Sequence, residues 1–115
     1  MAQGTEKLPT AAGSRSEAAV AIIRILLADD HTLVRQGLRK VLEERREWEV
    51  VAEASDGRQA VRLAEQHKPD VAVLDIAMPL MNGIEATRQI ARRSPATRVL
   101  ILSMHNKAEY VLQSI

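Results

Sequence analysis

Cysteine and phenylalanine are absent from this 115-residue chain, and Trp48 and Tyr110 are its only aromatic residues. Without cysteine there is no disulfide framework and no thiolate-held metal. With so few aromatics, the core must be built from Val, Ile, Leu and Ala. An excess of one charge is lacking too. Lys and Arg number 16 against 15 Asp and Glu, a formal net charge of +1, so composition gives no electrostatic footprint for nucleic-acid binding by this chain. Long hydrophobic runs are also missing. The most apolar stretch, Ala18 to Ala28 (AAVAIIRILLA), is interrupted by Arg24 and ended by Asp29-Asp30. It is too short to span a bilayer and lacks the unbroken apolar stretch of a signal peptide. A cytoplasmic protein with no membrane association is the expectation.

What is present suits one small domain: 46% hydrophobic and 27% charged residues. Residues 1–20, rich in Ala, Gly, Ser and Thr with no apolar period, are expected to be a disordered or vector-derived leader. Residues 21–115 are left as the domain. There the chain alternates between two periods. Ile22 to Ala28 predicts a first strand, short, apolar and rich in β-branched residues. His31 to about Arg46 predicts a helix, with Val34, Leu38, Val41 and Leu42 on one face. Glu49 to Ala54 predicts a second strand. Asp56 then caps a helix from Arg58 to His67, which Pro69-Asp70 closes. Val71 to Ile76, Gly83 to Arg93 and Arg98 to Leu102 predict strand, helix and strand. Lys107 to Ile115 closes the series with an apolar stripe at Ala108, Val111, Leu112 and Ile115. This β-α alternation implies parallel strands joined by crossover helices, an α/β doubly wound sheet. The first, third and fourth strands are near-continuous apolar runs, as expected of strands covered on both faces.

In such a sheet, ligands bind outside the carboxyl ends of the strands. The first strand runs into Asp29-Asp30, the third into Asp75 and the fourth into Ser103. Three carboxylates brought to one rim repel one another unless a cation is bound or one holds a proton. An oxygen-only set suits Mg²⁺ or Mn²⁺ rather than Zn²⁺, and His31, directly after the acid pair, is expected to open the helix. Asp75 is then a metal ligand or also a nucleophile, since a carboxylate can attack phosphorus to give an aspartyl phosphate. Ser103 would donate a hydrogen bond to a phosphoryl oxygen. Each residue alone has a plainer reading: Asp29-Asp30 capping a helix, Asp75 starting a turn, Ser103 structural. Their convergence on one rim favours the chemical reading.

The stretches ILLADDHTLVRQGLRKVLE, DVAVLDIAMPLMNGIEATRQI and VLILSMHNKAEYV closely resemble the receiver domain of two-component response regulators, from about Ile22 to the chain end. The wording is most similar to the LuxR/NarL-type subfamily. The resemblance implies a flavodoxin-like sheet of strand order 2-1-3-4, with a fifth strand and fifth helix absent from this chain. It implies a phosphoryl group passed from a sensor histidine kinase to Asp75. Mg²⁺ or Mn²⁺ would be held by Asp29, Asp30, Asp75 and the backbone carbonyl of Ala77. Ser103 would be the switch hydroxyl, and the Met104 N–H would touch the same phosphoryl group. The implied output is transcriptional, through a DNA-binding domain not in this chain, so the chain is expected to be a signalling module and not an enzyme.

The family's phosphoryl-pairing lysine at the end of a fifth strand has no counterpart among Lys7, Lys40, Lys68 and Lys107. An uncovered fourth strand predicts self-association or a homodimer. Three rivals are weighed. A receiver-like interaction module that is never phosphorylated remains open. An aspartyl-nucleophile phosphatase of the haloacid-dehalogenase kind would need a second acid where Ala77 stands. A dinucleotide-binding domain would need a glycine-rich turn where Asp29-Asp30-His31 stand.

Overall fold

The computed structural model describes residues 21–102. The leader, Ser103, Met104 and the final helix expected from Lys107 to Ile115 lie outside the described residues. Seven elements alternate: β1 (Ile23–Ala28), α1 (Thr32–Leu42), β2 (Trp48–Ala54), α2 (Gly57–His67), β3 (Val71–Asp75), α3 (Gly83–Arg93) and β4 (Arg98–Leu102). The strands are parallel and ordered β2-β1-β3-β4. This is the doubly wound arrangement that the alternation predicts.

The side-chain alternation of β1 divides the core into two layers. Ile25 and Leu27 face one way and pack with Val34 and Leu38 of α1, Val50 and Val73. Leu26 and Ala28 face the other way and pack with Ala60, Val61 and Ala64 of α2 and Ala86 and Ile90 of α3. Burial of β1 and β3 on both faces accounts for their unbroken apolar runs. The same expectation fails for β4. It is the outermost described strand, and Leu100 is 54% exposed.

β2 carries a feature that no periodicity in the sequence announces. Its register against β1 shifts between Ile25, paired with Val50, and Leu26, paired with Ala52. Val51 is therefore an extra residue, a β-bulge. In a regular strand, Trp48, Val50, Ala52 and Ala54 would share one face. Instead Trp48 and Val50 join the α1 layer while Ala52 and Ala54 join the α2–α3 layer. Glu53, opposite Leu27, is turned toward α1. There Arg35 donates from Nε to Glu53 Oε1 at 2.9 Å, and Arg39 donates to Glu53 Oε2 and to Glu43 Oε1.

The element ends depart from the sequence reading by a few residues. α1 stops at Leu42 rather than near Arg46, because the chain tightens there. The N–H groups of Glu44 and Arg45 bond three residues back, to Val41 and Leu42, and Glu43 reaches forward to the Val50 N–H. Asp56 caps α2 as expected, accepting from the Gln59 N–H at 2.8 Å. Lys68, which precedes Pro69, is left-handed at φ 48° and so ends the helix there. Its N–H closes α2 on the Ala64 carbonyl. Arg24 of β1 then takes up the exposed carbonyls of His67 and Lys68.

The Glu53 cluster gives α1 a pH-dependent hold on the sheet. Burial works to raise the Glu53 pKa, but the hydrogen bonds from Arg35 and Arg39 outweigh it and hold the carboxyl below its ordinary range. The unfolded chain therefore binds a proton before the folded one does as pH falls. The stabilisation is fully present above the ordinary carboxylate range of about 4.3 and is lost as pH falls through the lowered folded value. Comparing wild type with Glu53→Gln by urea denaturation should give a gap of about 1 kcal/mol at neutral pH. The gap should close in strong acid, and a gap that stays constant or widens there contradicts this picture.

Candidate functional site

The carboxyl edge of the sheet is where β1 and β3 end in acids. β1 continues one residue past Ala28, with the Asp29 N–H donating to the Ala54 carbonyl at 3.0 Å. Ala28 pairs with Leu74. The next residues along the two strands are Asp29 and Asp75. Each is only 2% exposed. Asp29 and Asp75 thus lie at the carboxyl ends of adjacent strands, and Asp30 follows Asp29 at the surface.

Local hydrogen bonds fix the acid pair. The carboxylate of Asp29 accepts the His31 N–H at 2.9 Å, folding the chain back on itself before α1 begins. The Asp29 carbonyl accepts from Nη1 of Arg35, one turn into α1, at 2.7 Å. His31 occupies the N-cap position of α1 but makes no side-chain cap. Its Nδ1 lies 3.1 Å from Asp30 Oδ1 and 3.5 Å from Asp29 Oδ1. Ligand atoms from Asp29, Asp30 and His31 lie within 4.8 Å of one another. The sequence reading treated His31 only as a helix opener. Its adjacency to the acid pair was the available signal that its ring would join them.

The loop between β3 and α3 lies beside Asp75, and backbone contacts hold it. The Ile76 N–H reaches the Leu102 carbonyl at 3.3 Å, and the Gly83 N–H closes on the Ile76 carbonyl at 2.9 Å. Asn82 caps α3 by accepting the Glu85 N–H at 2.9 Å. Met78 turns inward to the α2–α3 layer. Ala77 is exposed in the bend directly after Ile76, and Leu80 is 71% exposed at φ 68°. Two glycines permit this packing. A Cβ on Gly83 would stand 2.5 Å from the Asp75 carbonyl oxygen, and one on Gly57 would stand 1.8 Å from that of Met81.

Of the residues singled out from the sequence, Asp29, Asp30, Asp75 and Ala77 come to this edge. Ser103 follows β4, beyond the described residues. Among the described residues, no lysine stands at the edge. Lys40 is in the last turn of α1, and Lys68 is at the far end of α2 with Nζ donating to the Arg93 carbonyl. No described helix is long and apolar enough to cross a membrane.

Comparison with known proteins agrees with the geometry. Residues 25–115 match the family model described as the response regulator receiver domain. The transcriptional regulatory protein DegU of Brevibacillus brevis is 47% identical over 89 residues, covering 77% of this chain and 38% of that protein. LiaR of Bacillus subtilis (strain 168) is 48% identical over 82 residues, covering 71% and 39%. This chain thus spans less than half the length of these curated relatives. Among solved structures, a LuxR-family two-component response regulator from Aurantimonas sp. SI85-9A1 superposes with a TM-score of 0.70 at 42% identity. The match covers 82% of this chain and 67% of that one. The receiver domain of the putative response regulator NarL from Mycobacterium tuberculosis gives 0.69 at 34% identity, covering 83% and 79%.

Because Gly83 lets α3 start against the backbone of Asp75, Gly83→Ala should destabilise the fold by about 1–3 kcal/mol. The urea midpoint measures this. An unchanged midpoint would show that the turn beside Asp75 yields freely.

Proposed function

The chain belongs to the response regulator receiver domain family, of LuxR type, and we propose from this that Asp75 accepts a phosphoryl group from the phosphohistidine of a sensor kinase. The observation that supports it best is the burial of Asp29 and Asp75 at the carboxyl ends of the adjacent strands β1 and β3, with Asp30 at the surface after Asp29. Carboxylates gathered at one edge favour a cation there. A donor set of carboxylate oxygens, to which the Ala77 carbonyl is proposed to add, fits Mg²⁺ or Mn²⁺.

In the proposed transfer a carboxylate oxygen of Asp75 attacks phosphorus. The new O–P bond forms as the P–N bond to the kinase imidazole breaks, and the departing nitrogen keeps the electron pair. Mg²⁺, when held there, would supply charge neutralisation for the phosphoryl oxygens. Asp29 and Asp30 supply the anionic ligands, and the buried placement of Asp75 fixes the attacking oxygen. Ser103, with the Met104 N–H after it, is proposed to move onto the phosphoryl group and shift the β4 end between two states. The relatives are named as transcriptional regulators, and the output proposed here is likewise transcriptional, exerted through DNA-binding sequence outside this chain. The rival reading is an interaction module that is not phosphorylated.

Acetyl phosphate with Mg²⁺ separates the two. Intact mass should rise by one phosphoryl group in the wild type, and not in Asp75→Asn or after chelation. A folded wild-type chain that takes no label sinks the proposal, as does an Asp75→Asn chain that labels equally.

A further inference from the structure

Arg35 is 15% exposed on its side chain and sits one turn into α1, where its guanidinium holds two groups. Nε donates to Glu53 of β2 at 2.9 Å, and Nη1 donates to the main-chain carbonyl of Asp29 at 2.7 Å. The Asp29 peptide is thus held on both sides. Its N–H is fixed to the Ala54 carbonyl of β2 and its carbonyl to Arg35. Glu53 is in turn held by Arg39. The order of contacts runs from β2 through Glu53 and Arg35 to the backbone that carries both acids. It exists only because the bulge at Val51 turns Glu53 toward α1.

We propose that Arg35 is a positioning residue for the acid pair, setting the Asp29–Asp30 backbone so that both carboxylates are preorganised for a divalent cation. This rests on the metal-binding reading above. Arg35 touches neither phosphoryl group nor metal in that role. It acts through a carbonyl, as groups behind metal ligands commonly do. The planar fork matters because one side chain must serve two acceptors in fixed directions, which a lysine ammonium does not reproduce.

The idea has a sign that separates it from simple electrostatics. Arg35 places a positive charge close to the acids, so by Coulomb's law alone its removal would tighten cation binding. Positioning predicts the opposite. The test is Mn²⁺ binding to the full chain without phosphodonor, read from the free-ion electron paramagnetic resonance signal, with folding of each variant checked by its urea transition. Arg35→Gln is expected to weaken Mn²⁺ binding roughly tenfold or more. Arg35→Lys, which keeps the charge and loses the fork, is the milder second variant and should weaken it in the same direction. Arg39→Gln loosens the outer contact to Glu53 but leaves the Asp29 carbonyl held, and should bind within about twofold of wild type. Equal or tighter binding in the folded Arg35 variants overturns the positioning role while leaving the metal site intact. If Arg39→Gln weakens binding as much as Arg35→Gln, the effect is general destabilisation and the role is likewise overturned. Failure of the wild type itself to bind Mn²⁺ overturns the metal-binding reading and this inference with it.

Discussion

Asp29 and Asp75 are buried at the ends of two adjacent parallel strands, and this placement constrains much of the surrounding structure. The structure keeps them there by register. With Ala28 paired to Leu74, both strands run into their acids at the same edge of the sheet. The apolar runs Ile25 to Ala28 and Val71 to Leu74, packed on both faces, fix that register through the two core layers. A one-residue slip would turn every side chain of a strand to the wrong layer. The core that stabilises the fold is thereby also what brings the acids to one edge.

A second constraint comes from β2. Its bulge at Val51 moves Trp48 and Val50 to one layer and Ala52 and Ala54 to the other, leaving Glu53 under α1. The consequence is a charged contact between sheet and helix through Arg35 and Arg39 at the side of the molecule nearest the acids. On the opposite side of Asp75, glycines at 57 and 83 let loop backbones approach to distances that no Cβ would tolerate. The acid edge is therefore bounded by an arginine-held helix start on one side and a backbone-packed loop on the other.

Much of this was legible in the sequence. The alternation of periods gave the element order, and the acids at strand ends gave the edge, because both follow from short-range patterns. The cap at Asp56 was readable from side-chain chemistry. The bulge was not, since Val50-Val51-Ala52 reads as an ordinary apolar run whichever way its side chains turn. Arg35 and Glu53 stand 18 residues apart, and nothing local pairs them. The end of α2 before Pro69 was readable, but the left-handed turn of Lys68 was not. The exposure of Leu100 reflects the place of β4 at an edge of the described sheet, which its apolar composition hides but the expected uncovered fourth strand implied.

The most direct test of the acid edge as a cation and phosphoryl site is an amide-resolved Mg²⁺ titration by nuclear magnetic resonance. Saturable shifts concentrated at Asp29, Asp30, Asp75, Ile76 and Ala77, and absent in Asp75→Asn, are the expected result. A uniform weak drift across the surface, or saturable shifts centred away from the carboxyl edge, would contradict it.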